Sequence, residues 1–147
     1  MKPVAPRDPQ QIFAQTPFMQ LLGMQREFSR EGKARMTLDP DPQLGNVIGA
    51  VHGGVVVTML DVAMASAAVS VINFSRTVVT LSLDSSFLEP GRGRLTADGE
   101  VVQYDESIAW CQSQVRDAQG RLIAKALGSF RYLPRPQSDR LKVPPHA

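Results

Sequence analysis

The run from Asn46 to Asp61 reads Asn-Val-Ile-Gly-Ala-Val-His-Gly-Gly-Val-Val-Val-Thr-Met-Leu-Asp. Asn46, His52, the Gly53-Gly54 pair and Asp61 stand in a stretch that is otherwise almost wholly apolar. A carboxylate is costly to bury in such a stretch unless it is used or hydrogen-bonded. Asp61 is therefore a candidate general base or nucleophile, with an acidity set by burial. An Asp satisfied by Thr58 one turn earlier, or one facing a subunit contact, fits the same residues. The glycine pair sits where a helix should begin, so free backbone N–H groups can point at a ligand oxygen. There the Gly53 N–H would donate to a carbonyl oxygen as it gains charge. A tight loop-to-helix turn would call for the same glycines.

Neighbouring residues extend the set. His52 is read as holding a loop or orienting a ligand. Asn46 is read as a partner of His52 or of a substrate carbonyl, or as a turn residue after Gly45. Thr80, on the first strand after the helix, could hold a water or Asp61, or be an ordinary β-branched strand residue. His52 and Asp61 are nine residues apart and cannot share a helix face. If they cooperate, another geometry or another subunit brings them together. Metal binding is not expected: the other histidine, His146, lies near the C-terminus, and no second ligand has suitable spacing. Cys111 is the single cysteine, which excludes an internal disulfide and a cysteine cluster, and its strand-like setting reads as a structural thiol. Gly-x-Ser-x-Gly, the phosphate-binding loop and the dinucleotide fingerprint are all missing from the sequence.

These residues need elements to position them. Pro9 to Leu22 reads as a short helix interrupted by Pro17 and ended by Gly23. Met24 to Ser29 and Lys33 to Leu38 read as strands around a tight turn at Glu31-Gly32. Asp39-Pro40-Asp41-Pro42 opens a loop that runs through Gly45, Asn46 and Gly49 to His52. Gly53 to Ser70 reads as a helix apolar on nearly every face, so burial all round is expected. Val47 to Ile72 resembles a membrane span in length, but its glycines, His52 and Asp61 favour a buried central helix. Strands follow at Thr77 to Phe87, Arg94 to Tyr104, Ser107 to Arg116 and Leu122 to Tyr132. Alternation runs through Val79, Leu81 and Leu83, then Ile108, Trp110, Gln112 and Gln114, then Ile123, Lys125 and Leu127. Turns at Glu89-Pro90-Gly91, Asp105-Glu106 and Asp117 to Gly120 separate them. An antiparallel sheet with one apolar face, covered by one apolar helix, makes this an α+β domain over residues 1–133. Residues 134–147, with Pro134, Pro136, Pro144 and Pro145, read as a proline-rich tail.

At 147 residues and 43% apolar content the chain reads as a single globular domain. Arg131, Arg135, Arg140 and Lys142 oppose only Asp139 in the last seventeen residues, so the excess positive charge belongs to the tail. No nucleic-acid-binding face is expected. The opening segment has no apolar stretch of the signal-peptide kind, and the cytoplasm is the expected compartment.

The pattern Asn46-x2-Gly49-x2-His52-Gly53-Gly54-x6-Asp61, followed by Val79-Thr80, closely resembles hotdog-fold acyl-CoA thioesterases of the phenylacetic acid degradation (PaaI-like) group. Pro17-Phe18…Leu22-Gly23-Met24 and Glu31-Gly32-Lys33-Ala34 also look like that family's lead-in, and the resemblance covers residues 12–133. It implies a sheet of five or six antiparallel strands wrapped around one long central helix. It also implies a homodimer with its sheets joined edge to edge, often paired again into a homotetramer. By resemblance, Asn46, His52 and Gly53 of one chain would face Asp61 and Thr80 of the other. The implied reaction is hydrolysis of an aryl- or medium-chain acyl-CoA, with Asp61 activating water or attacking directly. Some relatives carry Ser where this chain has Thr80. No metal or bound cofactor is implied, coenzyme A being part of the substrate. Arg92 and Arg94 are candidates for its phosphates, or simply parts of a solvated turn. A hydratase or dehydratase on the same fold, or a non-catalytic acyl-CoA binding protein, is the alternative.

Overall fold

Pro17 splits the lead-in, because its ring cannot continue a helix already under way. A computed structural model describes residues 8–135, with α1 at Pro9–Gln15 and α2 at Pro17–Leu22. Asp8 caps α1 by accepting from the Gln10 N–H at 3.1 Å. Gly23 closes α2 in the left-handed conformation, at φ 72°. Strands β1 (Gln25–Arg30) and β2 (Lys33–Leu38) form a hairpin. Its turn has positive φ at both Glu31 and Gly32, the geometry whose twist suits a two-residue hairpin. Residues 1–7 lie outside the described residues. So does the expected proline-rich tail from residue 136 onward, together with Arg140, Lys142 and His146.

The long helix α3 spans Gly53–Val71. Strands β3 (Thr77–Phe87), β4 (Leu95–Tyr104), β5 (Ile108–Asp117) and β6 (Leu122–Leu133) follow. The sheet has six strands in the order β1-β2-β4-β5-β6-β3, with every pairing antiparallel. It wraps α3, as the expected hotdog arrangement requires, and β1 and β3 are its two edges.

The helix sits very close to the sheet. A Cβ built on Gly99 of β4 would lie 2.4 Å from the Ala63 carbonyl oxygen. One built on Gly128 of β6 would lie 3.1 Å from the Met64 side chain. Where they cross the helix the inward faces are correspondingly small, with Ala97 and Gly99 on β4, Ala109, Cys111 and Ser113 on β5, and Ala124, Ala126 and Gly128 on β6, while the larger Leu95, Val115, Phe130 and Tyr132 lie further along the same faces. This corrects the alternation read from the sequence. Trp110, Gln112, Lys125 and Leu127 point away from the helix and are exposed, and Gln114 beside them is only half-buried. Their neighbours, which are weaker in hydrophobic signal, form the core. Buried side chains also tie the sheet to helix carbonyls. Ser113 Oγ donates to Leu60 O at 3.0 Å and Tyr132 OH to Ala68 O at 2.7 Å.

Burial of α3 is not all round. Met59, Leu60, Ala63, Met64, Ala67 and Ala68 are fully enclosed. Gly54 is exposed, and Thr58, Asp61, Val62, Ala65 and Val69 are half-buried. These recur at three- and four-residue spacing and form one open stripe. By length and composition α3 could cross a membrane, but more than half of its most apolar window is buried within the fold.

The Gly99 contact gives the first prediction. Gly99→Val must push the helix backbone off the sheet, because the atom in the way is a main-chain oxygen. Overpacking of this kind costs about 3 kcal/mol, which lowers Tm by about 6–12 °C for a chain of this size. A melting curve unchanged from wild type would show that the helix does not sit this close.

Candidate active site

The loop into α3 leaves one donor free. His52 is the N-cap, and its Nδ1 accepts from the Gly54 N–H at 2.9 Å. An imidazolium could not do this, since both of its nitrogens are donors. The His52 carbonyl accepts from Val55 and Val56 at 2.9 and 3.2 Å. Among the described residues the Gly53 N–H has no partner. It opens a helix of nineteen residues, so the helix dipole adds positive potential at that point. The Phe87 ring stands beside it, 3.5 Å from where a Gly53 Cβ would be.

Asn46 organises the loop and does not bond His52. Its Oδ1 accepts from Ile48 N at 3.1 Å and Ala50 N at 3.0 Å. Its backbone N–H donates to Ala50 O at 2.7 Å, and its carbonyl accepts from Gly49 N at 3.1 Å. The turn reading of Asn46 therefore describes its oxygen; its side-chain amide nitrogen has no partner among the described residues.

Asp61 lies on the open stripe of α3, half-buried. Thr80 Oγ1 donates to Asp61 Oδ1 at 2.7 Å from the edge strand β3. Thr58, the expected local partner, bonds back to Gly54 O at 2.8 Å instead, the usual habit of a helical threonine. The structure thus joins Asp61 to Thr80 and His52 to Gly54. Within one chain it does not join the two pairs, because the eight helical steps from Gly53 to Asp61 give a rise of about 12 Å.

The two arginines considered for phosphate contacts are already engaged. Arg92 donates to Gly49 O at 2.9 Å and Ile48 O at 3.1 Å, and Arg94 pairs with Asp39. Sequence reading missed the Arg92 contacts and the approach of Phe87 to Gly53. Both are long-range, and neither leaves a periodic signal. Among the described residues no three His, Cys, Asp or Glu side chains are grouped to hold a metal ion. Burial pushes the Cys111 thiol up to about 12, so it carries no thiolate near neutrality.

The sequence profile of the Thioesterase superfamily matches residues 48–124, from the loop into β6. A protein of Halobacterium salinarum named as a candidate esterase is 31% identical over 124 residues, 77% of this chain and 82% of its own. Another so named, from Saccharolobus solfataricus, is 35% identical over 83 residues, 56% of this chain and 59% of its own. The match thus spans less than two thirds of that relative. A solved thioesterase family protein from Silicibacter pomeroyi superposes with a TM-score of 0.79 at 26% identity, covering 84% of this chain and 94% of its own. The PaaI protein of the Escherichia coli phenylacetic acid degradation operon superposes at 0.78 with 22% identity, covering 85% and 90%, a likeness of fold.

Cys111 gives the prediction proper to this geometry. At neutral pH the native protein should react with a thiol reagent such as Ellman's reagent only as fast as it unfolds, and stoichiometrically in denaturant. Rapid labelling of the native chain would place Cys111 outside the core.

Proposed function

Since the chain belongs to the Thioesterase superfamily, we propose that it hydrolyses acyl-coenzyme A thioesters bearing aryl- or medium-chain acyl groups, as a PaaI-like enzyme. The observation that carries this reading is the Asp61 carboxylate. It is the one charged group on an otherwise apolar helix, and it is oriented by Thr80 on the flank the sheet leaves open. A protein that merely bound an acyl chain would gain nothing from an ionised group there.

This reading gives each residue a role. The Gly53 N–H receives the thioester oxygen and stabilises its negative charge as the carbonyl is attacked. Asp61 takes a proton from water, or attacks the carbonyl carbon itself to give an anhydride that water then opens. Thr80 holds the carboxylate in place. His52 keeps the first turn of α3 in register, and Asn46 holds the loop and keeps its amide nitrogen for the substrate. The departing thiolate of coenzyme A is stable enough to need no strong general acid. No metal or bound cofactor enters the reaction.

One carbonyl carbon must lie within about 3 Å of both the oxyanion donor and the attacking group. Gly53 and Asp61 of the same chain are too far apart for that, so the reading pairs Gly53 of one copy with Asp61 and Thr80 of another. Strand β3 supports such a pairing. It is an edge strand of eleven residues with Val79, Leu81 and Phe87 exposed. An exposed edge of this length and character is a template for another strand. Two copies joined along β3 would bring the open stripes of two helices together in a homodimer, which a further pairing would make a tetramer.

Asp61→Asn should lower turnover by about 10²–10⁴-fold, the range of a lost general base, with acyl-CoA affinity little altered. Release of free coenzyme A from phenylacetyl- and hexanoyl-CoA measures it, and Cys111 gives no background if it is closed. Near-normal turnover in the mutant would remove Asp61 from the mechanism. Binding without thiol release by wild type would favour a hydratase or a binding protein. In sedimentation the active species should be a dimer or larger, and an active monomer would overturn the shared site.

A further inference from the structure

The loop that delivers Gly53 is gripped from outside by one side chain. Val51 N donates to Gly91 O at 2.8 Å, which brings the turn between β3 and β4 against the loop. From the next residue the Arg92 guanidinium reaches over it. Nη1 donates to Gly49 O and Nη2 to Ile48 O, so two successive carbonyls share one planar group. Gly49 stands at φ 73°, a region closed to most side chains, and in that conformation both carbonyls meet the guanidinium. Among the described residues Arg92 has no carboxylate partner; its hydrogen bonds go to this loop.

With the Arg92 contacts added, the loop is nearly saturated. Asn46 takes the N–H groups of Ile48 and Ala50, Arg92 takes the carbonyls of Ile48 and Gly49, and His52 N donates to Leu44 O at 2.8 Å. Asn46 holds the inside of the turn and Arg92 the outside. Ala50 and Val51 are buried at the base of the loop, but its tip is open, with Val47 fully exposed and Ile48 59% exposed, so at residues 47–49 hydrogen bonds rather than packing hold the backbone. The free Gly53 N–H follows only four residues after Gly49.

The geometry points to Arg92 as a positioning residue that holds the Ile48 and Gly49 carbonyls and so fixes the Gly53 N–H for the thioester oxygen. This rests on the thioesterase reading above, and it assigns Arg92 to the loop in place of a coenzyme A phosphate. A lysine cannot replace it, since an ammonium is a point donor and does not span two carbonyls as a planar fork does.

Two readouts test it, one of them independent of activity. Amide hydrogen exchange over residues 46–53 should quicken in Arg92→Ala and Arg92→Lys relative to wild type, with the helix interior unchanged. In steady-state assays kcat should fall about tenfold to a hundredfold, up to the cost of a 1 Å misplacement. KM should stay near wild type, and Arg92→Lys should recover only part of the loss. The fall should be the same for phenylacetyl-CoA and phenylacetyl-pantetheine, which lacks the nucleotide phosphates. Unaltered exchange overturns the proposal. So does a KM increase confined to the coenzyme A ester, which would return Arg92 to the phosphates. If wild type cleaves neither ester, the thioesterase reading falls, and exchange alone decides whether Arg92 holds the loop.

Discussion

The contact between the Ala63 carbonyl and Gly99 sets how α3 lies in the sheet, and most of the molecule follows from it. Backbone meets backbone there, with no room for a single methyl group. Where the helix is that close it can be lined only by small side chains, hence the alanines, Cys111, Ser113 and Gly128 at the middle of the inner strand faces. Volume is made up by Met59, Leu60 and Met64 of the helix and, away from the closest approach, by Phe130, Met36, Leu38 and Leu95 of the strands. Such close packing brings the Leu60 and Ala68 carbonyls within reach of Ser113 and Tyr132. Those bonds fix the rotation of α3 about its axis, since buried donors without a partner would be costly. With rotation fixed, Asp61 must emerge on the flank beside β3.

Two polar groups on α3 are thereby set in place by different means. The Gly53 N–H is free because the first turn of any helix has donors without intrahelical partners, and the His52 cap is spent on Gly54 instead. The Asp61 carboxylate is fixed by a threonine from the edge strand. Neither depends on the apolar core for its final orientation; each is held by hydrogen bonds at the margin of the fold. Stability and orientation are thus separable: the helix–sheet contact keeps α3 seated, while the loop and β3 aim these two polar groups.

Much of this could be read from the sequence, and what could not has a common cause. Strong local signals placed the elements. Gly23, the Glu31-Gly32 turn and the Gly53 start of α3 fall where they were expected, and β3 spans Thr77–Phe87 as read. Asp61 and Thr80 were singled out, and they do meet. The errors arose where distance along the chain separates partners. Thr58 was a candidate for Asp61 because it lies one turn away, yet its hydroxyl goes to the Gly54 carbonyl and the partner of Asp61 is Thr80, on a different element. The grip of Arg92 on Gly49 crosses more than forty residues and has no periodicity. Hydrophobic alternation misled in the middle of β5 and β6, where Trp110 and Leu127 lie outside and the inward positions are Ala109, Cys111, Ser113, Ala126 and Gly128; the large inward residues Val115, Phe130 and Tyr132 lie further along the strands.

The open stripe on α3 ties the fold to the two-copy reading. A sheet of six strands curls around only part of a helix, and here it ends at β3. Closing the remaining flank within one chain would have required another strand beside β3, and that strand would cover Asp61. Leaving the flank open exposes Val79, Leu81 and Phe87, an unfavourable surface for an isolated protomer. On the two-copy reading the same surface becomes the site. The partner's β3 would cover the apolar edge and its helix start would bring a free N–H toward Asp61, so the residues that make the protomer incomplete are those that would make the dimer active.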